Sequence, residues 1–160
     1  MRILVITVSD RAFKGIYYDK SGEAVVNLLE RHFIKEGLVY KIEKIIIPDE
    51  YDIILNTLKE NKDNFDIIIT TGGTGLSERD VTPEATKDFC KKEVPGISEY
   101  LRIESVKETA FASLSRGYSG INDKVFVVNF PGSKNGAIFC INLIIPLLSH
   151  IIEMMRGEEH

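Results

Sequence analysis

The run Ile67-Ile68-Ile69-Thr70-Thr71 constrains this chain more than any other stretch. It is apolar and β-branched, without the alternation of a half-exposed strand. Such a run reads as a strand buried on both faces, and strands of that kind belong to parallel sheets covered by helices. Residues 2–8 (RILVITV) and 124–130 (KVFVVNF) repeat the pattern, and residues 39–47 alternate at first, then end in Ile45-Ile46-Ile47. Helical patterns lie between them. Asp19, Ser21 and Glu23 offer a helix start, Val25, Leu28, Leu29, His32 and Phe33 keep helical spacing, and Gly37 supplies a stop. Ile53, Ile54, Leu55 and Leu58 give a short amphipathic helix. Thr82 is expected as the N-cap of another helix, with Pro83 at its first position. Strands alternating with helices imply βαβ units. The expected fold is therefore α/β: a three-layer sandwich with a mostly parallel central sheet and helices on both faces. One domain should occupy residues 1–156, with a polar tail over 157–160.

In such sheets ligands sit outside the C-terminal ends of the strands. Four polar clusters follow the strands here: Ser9-Asp10-Arg11, Asp49-Glu50, the loop from Gly72 to Asp80, and Pro131-Gly132-Ser133-Lys134. Parallel strands would bring them to one edge. Gly72-Gly73-Thr74-Gly75 permits φ > 0 and close approach to the main chain, and backbone N–H groups before a helix suit a phosphate. Arg11, Arg79, Arg116 and Lys134 add cations. Asp49 and Asp80 are two carboxylates on different loops, and Mg²⁺ is held by one or two carboxylates together with substrate phosphates. Anion-binding backbone, cations and paired carboxylates are the parts that phosphoryl or nucleotidyl transfer needs. Plainer readings stand beside these. Asp49 could cap the following helix, Asp80 could make an Asx-turn or pair with Arg79, and Arg116 and Lys134 could be solvated surface charges. His32, His150, Cys90 and Cys140 read as structural residues. No Gly-Lys dipeptide, G-x-G-x-x-G or G-x-S-x-G pattern occurs.

Composition excludes several classes. The 160 residues suit one domain large enough to fold without a disulfide or structural metal. A net charge of −4 and the lack of a basic run argue against a nucleic-acid partner. The two cysteines are isolated, which suits a reducing cytoplasm. A strand at the start, with no signal peptide before it, fits the same location. The most apolar stretch, residues 137–152, is interrupted by Asn142, Pro146 and His150 and is shorter than a membrane span, so no membrane partner is expected. Pro146 should kink this last helix or divide it, and the helix should be largely buried.

The residues from Thr70 to Thr86 (TTGGTGLSERDVTPEAT) resemble the signature of molybdenum-cofactor biosynthesis proteins of the MogA/MoaB type. Ser9-Asp10-Arg11, Asp19-x-Ser21-Gly22, Pro48-Asp49-Glu50, Val94-Pro95-Gly96, Leu114-Ser115-Arg116 and Pro131-Gly132-Ser133 match in the same order. The segment around Val94-Pro95-Gly96 looks more like the MogA branch. The resemblance implies molybdopterin adenylyltransferase activity: transfer of AMP from Mg-ATP to molybdopterin with release of pyrophosphate, by a compact α/β domain usually assembled as a trimer. It implies that Asp49 and Asp80 serve Mg²⁺ and catalysis. It also implies that Thr71, Gly72, Gly73, Thr74, Gly75, Pro131, Gly132 and Ser133 line the ligand pocket, with Ser9, Asp10, Arg11, Ser115 and Arg116 as further substrate contacts. One departure is Lys134, where the family usually has Pro. A non-catalytic molybdopterin-binding scaffold is the alternative the resemblance leaves open.

Overall fold

Six strands form one sheet in the computed structural model, which describes residues 1–157: β1 (Arg2–Val8), β2 (Lys41–Ile47), β3 (Ile67–Thr71), β4 (Lys92–Glu93), β5 (Ser119–Asn122) and β6 (Val125–Phe130). Their order across the sheet is β2-β1-β3-β6-β5-β4. The four apolar runs are the parallel part, β2, β1, β3 and β6, and β5 pairs antiparallel with β6 and β4. The expected α/β sandwich is thus present, with a short mixed edge that no apolar run announced. Of the tail beginning at Gly157, residues 158–160 lie outside the described part.

Among the described residues seven α-helices join or follow the strands: α1 (Asp10–Phe13), α2 (Lys20–Glu36), α3 (Tyr51–Asn61), α4 (Thr82–Phe89), α5 (Pro95–Glu108), α6 (Lys134–Ile144) and α7 (Leu148–Arg156). Successive residues of β1 point to opposite faces and build two cores. Ile3 and Val5 join Val25, Leu29 and Phe33 of α2 and Ile141 and Ile144 of α6. Leu4 and Ile6 join Ile54 and Leu58 of α3 and Ala85 and Phe89 of α4. Burial on both faces explains why β1 and β3 show no polar alternation.

Helix ends show how local chemistry sets the loops. Asp19 caps α2, accepting from Gly22 N–H at 2.9 Å, and Gly37 closes the helix at φ 65°. The same Asp19 carboxylate is buried and accepts from Thr7 Oγ1 at 2.8 Å and Lys44 Nζ at 3.1 Å. Burial alone would push this carboxyl up, but the bonds from Thr7, Gly22 and Lys44 outweigh it and hold it below its ordinary value.

Three expectations are corrected. Thr82 is not a capping residue: α4 begins at Thr82 with Val81 before it, Ala85 N–H goes to the Val81 carbonyl, and no side chain caps the turn. Val94-Pro95-Gly96 reads in the sequence as a break with a helix only from Ser98, whereas helix α5 starts at Pro95, because a proline without an N–H fits the first turn. The last segment does divide at Pro146, through a 3₁₀ turn over Ile145–Leu147, but it is not largely buried. By length and composition Lys134–Arg156 could cross a membrane, yet only 28% of its most apolar window is buried in the chain. Ala137, Cys140, Ile141, Ile144, Leu148 and Ile152 pack inward; Phe139, Leu143, Ile151 and Met155 are only half-buried and Met154 is exposed.

Candidate active site

Because β2, β1, β3 and β6 are parallel, the loops after them converge on one edge. The chain runs outward in opposite senses from the centre, to β2 through α2 and to β3 through α3, so the β1/β3 boundary is a topological switch point. Three loops lock together beside it, those after β1, β2 and β3. Asp10 N–H donates to Asp49 Oδ2 at 2.7 Å, and Asp49 N–H returns a bond to Asp10 Oδ1 at 3.1 Å. Arg79 reaches back to Asp10 Oδ2 at 2.6 Å. Asp49 therefore does not cap α3: Glu50 occupies that position and makes no side-chain cap. The Arg79 guanidinium holds the Asp10 carboxyl below its ordinary value. Burial, joined by the charges of Asp10 and Asp80, pushes the Asp49 carboxyl up.

The glycines after β3 answer to specific neighbours. Gly72 has φ 99° and lies so close to the Val8 carbonyl that a Cβ there would fall 2.3 Å from its oxygen. A Cβ on Gly132 would lie 3.2 Å from Gly72 Cα, so the two ligand loops touch through bare backbone. Gly73, at φ 64°, faces Thr82 and Asp49, and a Cβ on Gly75 would lie 2.9 Å from Asp80 Oδ2. Two of the glycines thus make room for the two carboxylates. Asp80 Oδ2 accepts from Ser77 N–H at 2.9 Å, a local turn bond that aims the carboxylate back at Gly75.

Several of the expected substrate contacts are engaged within the chain. Arg116 Nε donates to the Gly75 carbonyl at 2.7 Å, Nη2 donates to the Asp80 carbonyl, and Nη1 pairs with Glu84. Its N–H donates to the Thr74 carbonyl at 3.0 Å. The side chain clamps the glycine loop from the outside. Ser9 caps α1 and Ser133 caps α6, through Ala12 and Gly136 N–H respectively. Thr71 is buried, with its hydroxyl against those of Ser21 and Thr7. Ser115 Oγ accepts from Gly117 N–H at 3.3 Å. The Arg11 guanidinium lies 5.4 Å from the Tyr17 ring centre, a cation–π contact.

A cleft of about 560 Å³ opens between these loops and helices α5 and α6. Gly73, Thr74, Gly75, Asp80, Ser115, Pro131, Gly132 and Ser133 line it, and Leu101, Phe111, Leu114 and Phe139 form its apolar wall. Ser9, Asp10, Arg11, Asp49, Thr71, Gly72 and Arg116 are not among its lining residues. Among them, Asp10 and Asp49 lie beyond Gly73, at the switch point. Cys140 also lines the cleft, but burial pushes its thiol up to about 11, and that of Cys90 up to about 12, so neither is a thiolate at neutral pH. No group of three or more metal-ligating side chains occurs among the described residues. The chain's own offer to a cation is the pair Asp49 and Asp80. The burial of Asp49 and the nearby charge of Asp80 are strains that a hard divalent ion would relieve. The donor set fits Mg²⁺ carried by a nucleotide.

Glu84, Asn129 and Thr82 enter the site without having been singled out for it. Asn129 is buried, bonds Thr70 and Thr86 at 2.9 Å each, accepts from Tyr118 N–H, and borders the cleft. A polar residue inside an otherwise apolar strand was its visible signal. Glu84 and Thr82 carried no such mark, since an early helix Glu and a Thr before Pro are ordinary helix-start residues.

A doubly wound α/β domain with a glycine loop, two flanking carboxylates and a half-apolar cleft defines a class of small-molecule, anion-binding proteins. Comparison with known proteins is specific. Residues 4–150 match the profile of the family described as "Probable molybdopterin binding domain". A molybdopterin adenylyltransferase of Helicobacter pylori is 37% identical over 160 residues, covering 99% of this chain and 89% of that one. The Escherichia coli K12 molybdopterin adenylyltransferase is 37% identical over 134 residues, 82% of this chain and 67% of that one. The crystal structure of the molybdopterin biosynthesis enzyme MoaB from Thermus thermophilus superposes with a TM-score of 0.84 at 34% identity, covering 98% of this chain and 97% of that one. The chain belongs to this molybdopterin-binding family of molybdenum-cofactor biosynthesis proteins.

Proposed function

We propose that this chain is a molybdopterin adenylyltransferase that uses Mg-ATP, releases pyrophosphate and passes AMP to the phosphate of molybdopterin. The observation that carries the reading is the nearness of Gly73 to Asp49 and of Gly75 to Asp80, which sets two carboxylates beside a bare glycine loop. The names of the Helicobacter and Escherichia relatives support it. In the reaction, an oxygen of the molybdopterin phosphate attacks the α-phosphorus of ATP, a new P–O bond forms, and the bond to the β-phosphate breaks with pyrophosphate as leaving group. A Mg²⁺ ion held by Asp49 and Asp80 would neutralise charge on the phosphate oxygens. The chain's own part is positioning. The loop Gly73-Thr74-Gly75 presents backbone to the phosphates, and the N-terminus of α6 behind Ser133 adds a favourable dipole end. Leu101, Phe111 and Phe139 shelter the flat part of a ligand from water. The half-exposed apolar stripe of α6 and α7 supports self-association, for which a homotrimer is the assembly proposed, with a cytoplasmic location.

A non-catalytic molybdopterin carrier is the second reading, favoured by the family description, which names binding alone. Pyrophosphate release separates the two. ATP turnover that requires both Mg²⁺ and molybdopterin supports the transferase; tight molybdopterin binding without turnover supports the carrier.

A further inference from the structure

Among the described residues that line the cleft, Arg102 is the only basic one. The four cations expected at the strand ends are engaged elsewhere or lie outside it. Arg79 pairs with Asp10, Arg116 clamps the glycine loop, Arg11 lies against Tyr17, and Lys134 borders a separate surface hollow with Tyr18 and Arg31. The other charged liners, Asp80 and Glu108, are acidic. An anion that enters the cleft therefore has a single side-chain cation to meet there.

Arg102 stands on α5, half-buried and next to Leu101 of the apolar wall. Its Nη1 donates to the Gly117 carbonyl at 2.8 Å. Gly117 lies two residues past Ser115, and both line the cleft. The bond holds the guanidinium against the same segment whose Arg116 grips the glycine loop. No other side-chain hydrogen bond and no ion pair of Arg102 occurs among the described residues. The nearest carboxylate in sequence, Glu104, pairs with Lys107 instead. A guanidinium carries five N–H donors in a planar fork, so most of its bonding capacity is unspent within the chain. A half-buried cation tethered to a neutral carbonyl, beside an apolar wall, gains most from an anion that binds there, because partial removal from water strengthens each charged contact.

We propose that Arg102 binds the phosphate group of molybdopterin and makes the cleft selective for the phosphorylated pterin. This rests on the molybdopterin-binding part of the proposed function, which the transferase and carrier readings share. ATP arrives with Mg²⁺, so the charge of its phosphates is met by that ion beside the glycine loop. The pterin's single phosphate brings no cation of its own. Arg102 supplies one, in a fork that suits phosphate geometry. In the transferase reading the same contact orients the attacking oxygen and screens the repulsion between two anionic phosphates.

The test compares Arg102→Met, which removes the charge at similar length, with Arg102→Lys, which keeps it. Three affinities are measured on the full chain, without turnover: molybdopterin and its dephosphorylated form by anaerobic fluorescence titration, and α,β-methylene-ATP with Mg²⁺ by calorimetry. Wild type should prefer the phosphorylated pterin. Arg102→Met should bind molybdopterin about 10–100-fold more weakly, the worth of a hydrogen-bonded contact between charged groups. It should bind the dephosphorylated form and the ATP analogue as wild type does. Arg102→Lys should keep most of the preference, since the charge remains. Unchanged molybdopterin affinity in Arg102→Met, or no preference in wild type, overturns the proposal and leaves the molybdopterin reading standing. Equal weakening for both pterins also overturns it, because it assigns Arg102 a structural role through Gly117. Weakening confined to the ATP analogue assigns the contact to the nucleotide and overturns it as well. So does a loss of preference in Arg102→Lys as complete as in Arg102→Met. If wild type binds neither pterin, the molybdopterin reading falls, and this proposal with it.

Discussion

Replacing Arg116 by alanine separates a loop clamp from a substrate contact. Arg116 holds the Gly75 and Asp80 carbonyls and pairs with Glu84. Bonds from a charged donor contribute about 1.5–3 kcal/mol each when protected from water. The guanidinium side chain is 35% exposed, so water replaces part of what is lost. The exposed Glu84 pair adds at most about 1 kcal/mol. Together these give a destabilisation of about 2–3 kcal/mol, which at a urea slope of about 2 kcal/mol/M lowers the unfolding midpoint by about 1–1.5 M. The functional loss should exceed the stability loss in meaning, because the released carbonyl belongs to Asp80 itself. Loosening that carboxylate by about 1 Å should lower kcat on the order of 10²-fold in a pyrophosphate-release assay. Arg116→Lys should recover only part, since an ammonium cannot span two carbonyls and a carboxylate. An Arg116→Ala protein with an unchanged urea midpoint and a raised KM alone would refute the clamp and make Arg116 a direct substrate ligand.

Other outcomes follow from the same geometry. Asp80→Asn should spare molybdopterin binding, measured by fluorescence titration, and lower turnover by about 10²–10³-fold; equal loss of both would deny it a catalytic role. Asp49 has a folded-state pKa raised above its ordinary value, so its contribution to stability is full at low pH and is lost as pH rises through the raised value. Asp49→Asn should therefore raise the neutral-pH melting temperature of the free protein while abolishing turnover; a lower melting temperature would contradict this. Asp19 is shifted the other way, so its contribution is present above the ordinary carboxylate pKa and disappears as pH falls through its depressed one. Asp19→Ala, which removes both the α2 cap and the buried partner of Thr7 and Lys44, should cost about 2–4 kcal/mol by urea denaturation and should flatten the acid limb of the stability curve.

The parts of the fold that could be read from sequence are those where burial acts on many residues at once. Strands β1, β3 and β6 are apolar on both faces, and that shows as unbroken runs. Strand β4 is a two-residue pairing of Lys92 and Glu93 with Ile121 and Gly120, and β5 reads SGIN; neither is long enough to carry a periodicity. The glycine loop was legible as a ligand loop, but its division of labour was not. That Gly73 faces Asp49 and Thr82 while Gly75 faces Asp80 is set by contacts between residues far apart in sequence. Arg116 reads as a surface charge because nothing nearby in sequence betrays the carbonyls of residues 75 and 80 waiting for it. The α6–α7 segment misled in the opposite sense: an apolar girth signals contact with something apolar, and within a single chain only one stripe of it finds that contact.

The reaction proposed for this site is the transfer of AMP to molybdopterin. The most direct test is to follow pyrophosphate release and adenylylated product from ATP by the purified protein, with and without Mg²⁺ and molybdopterin. Product is expected only when both are present, with almost none from Asp80→Asn. Molybdopterin bound tightly with no pyrophosphate released would contradict it.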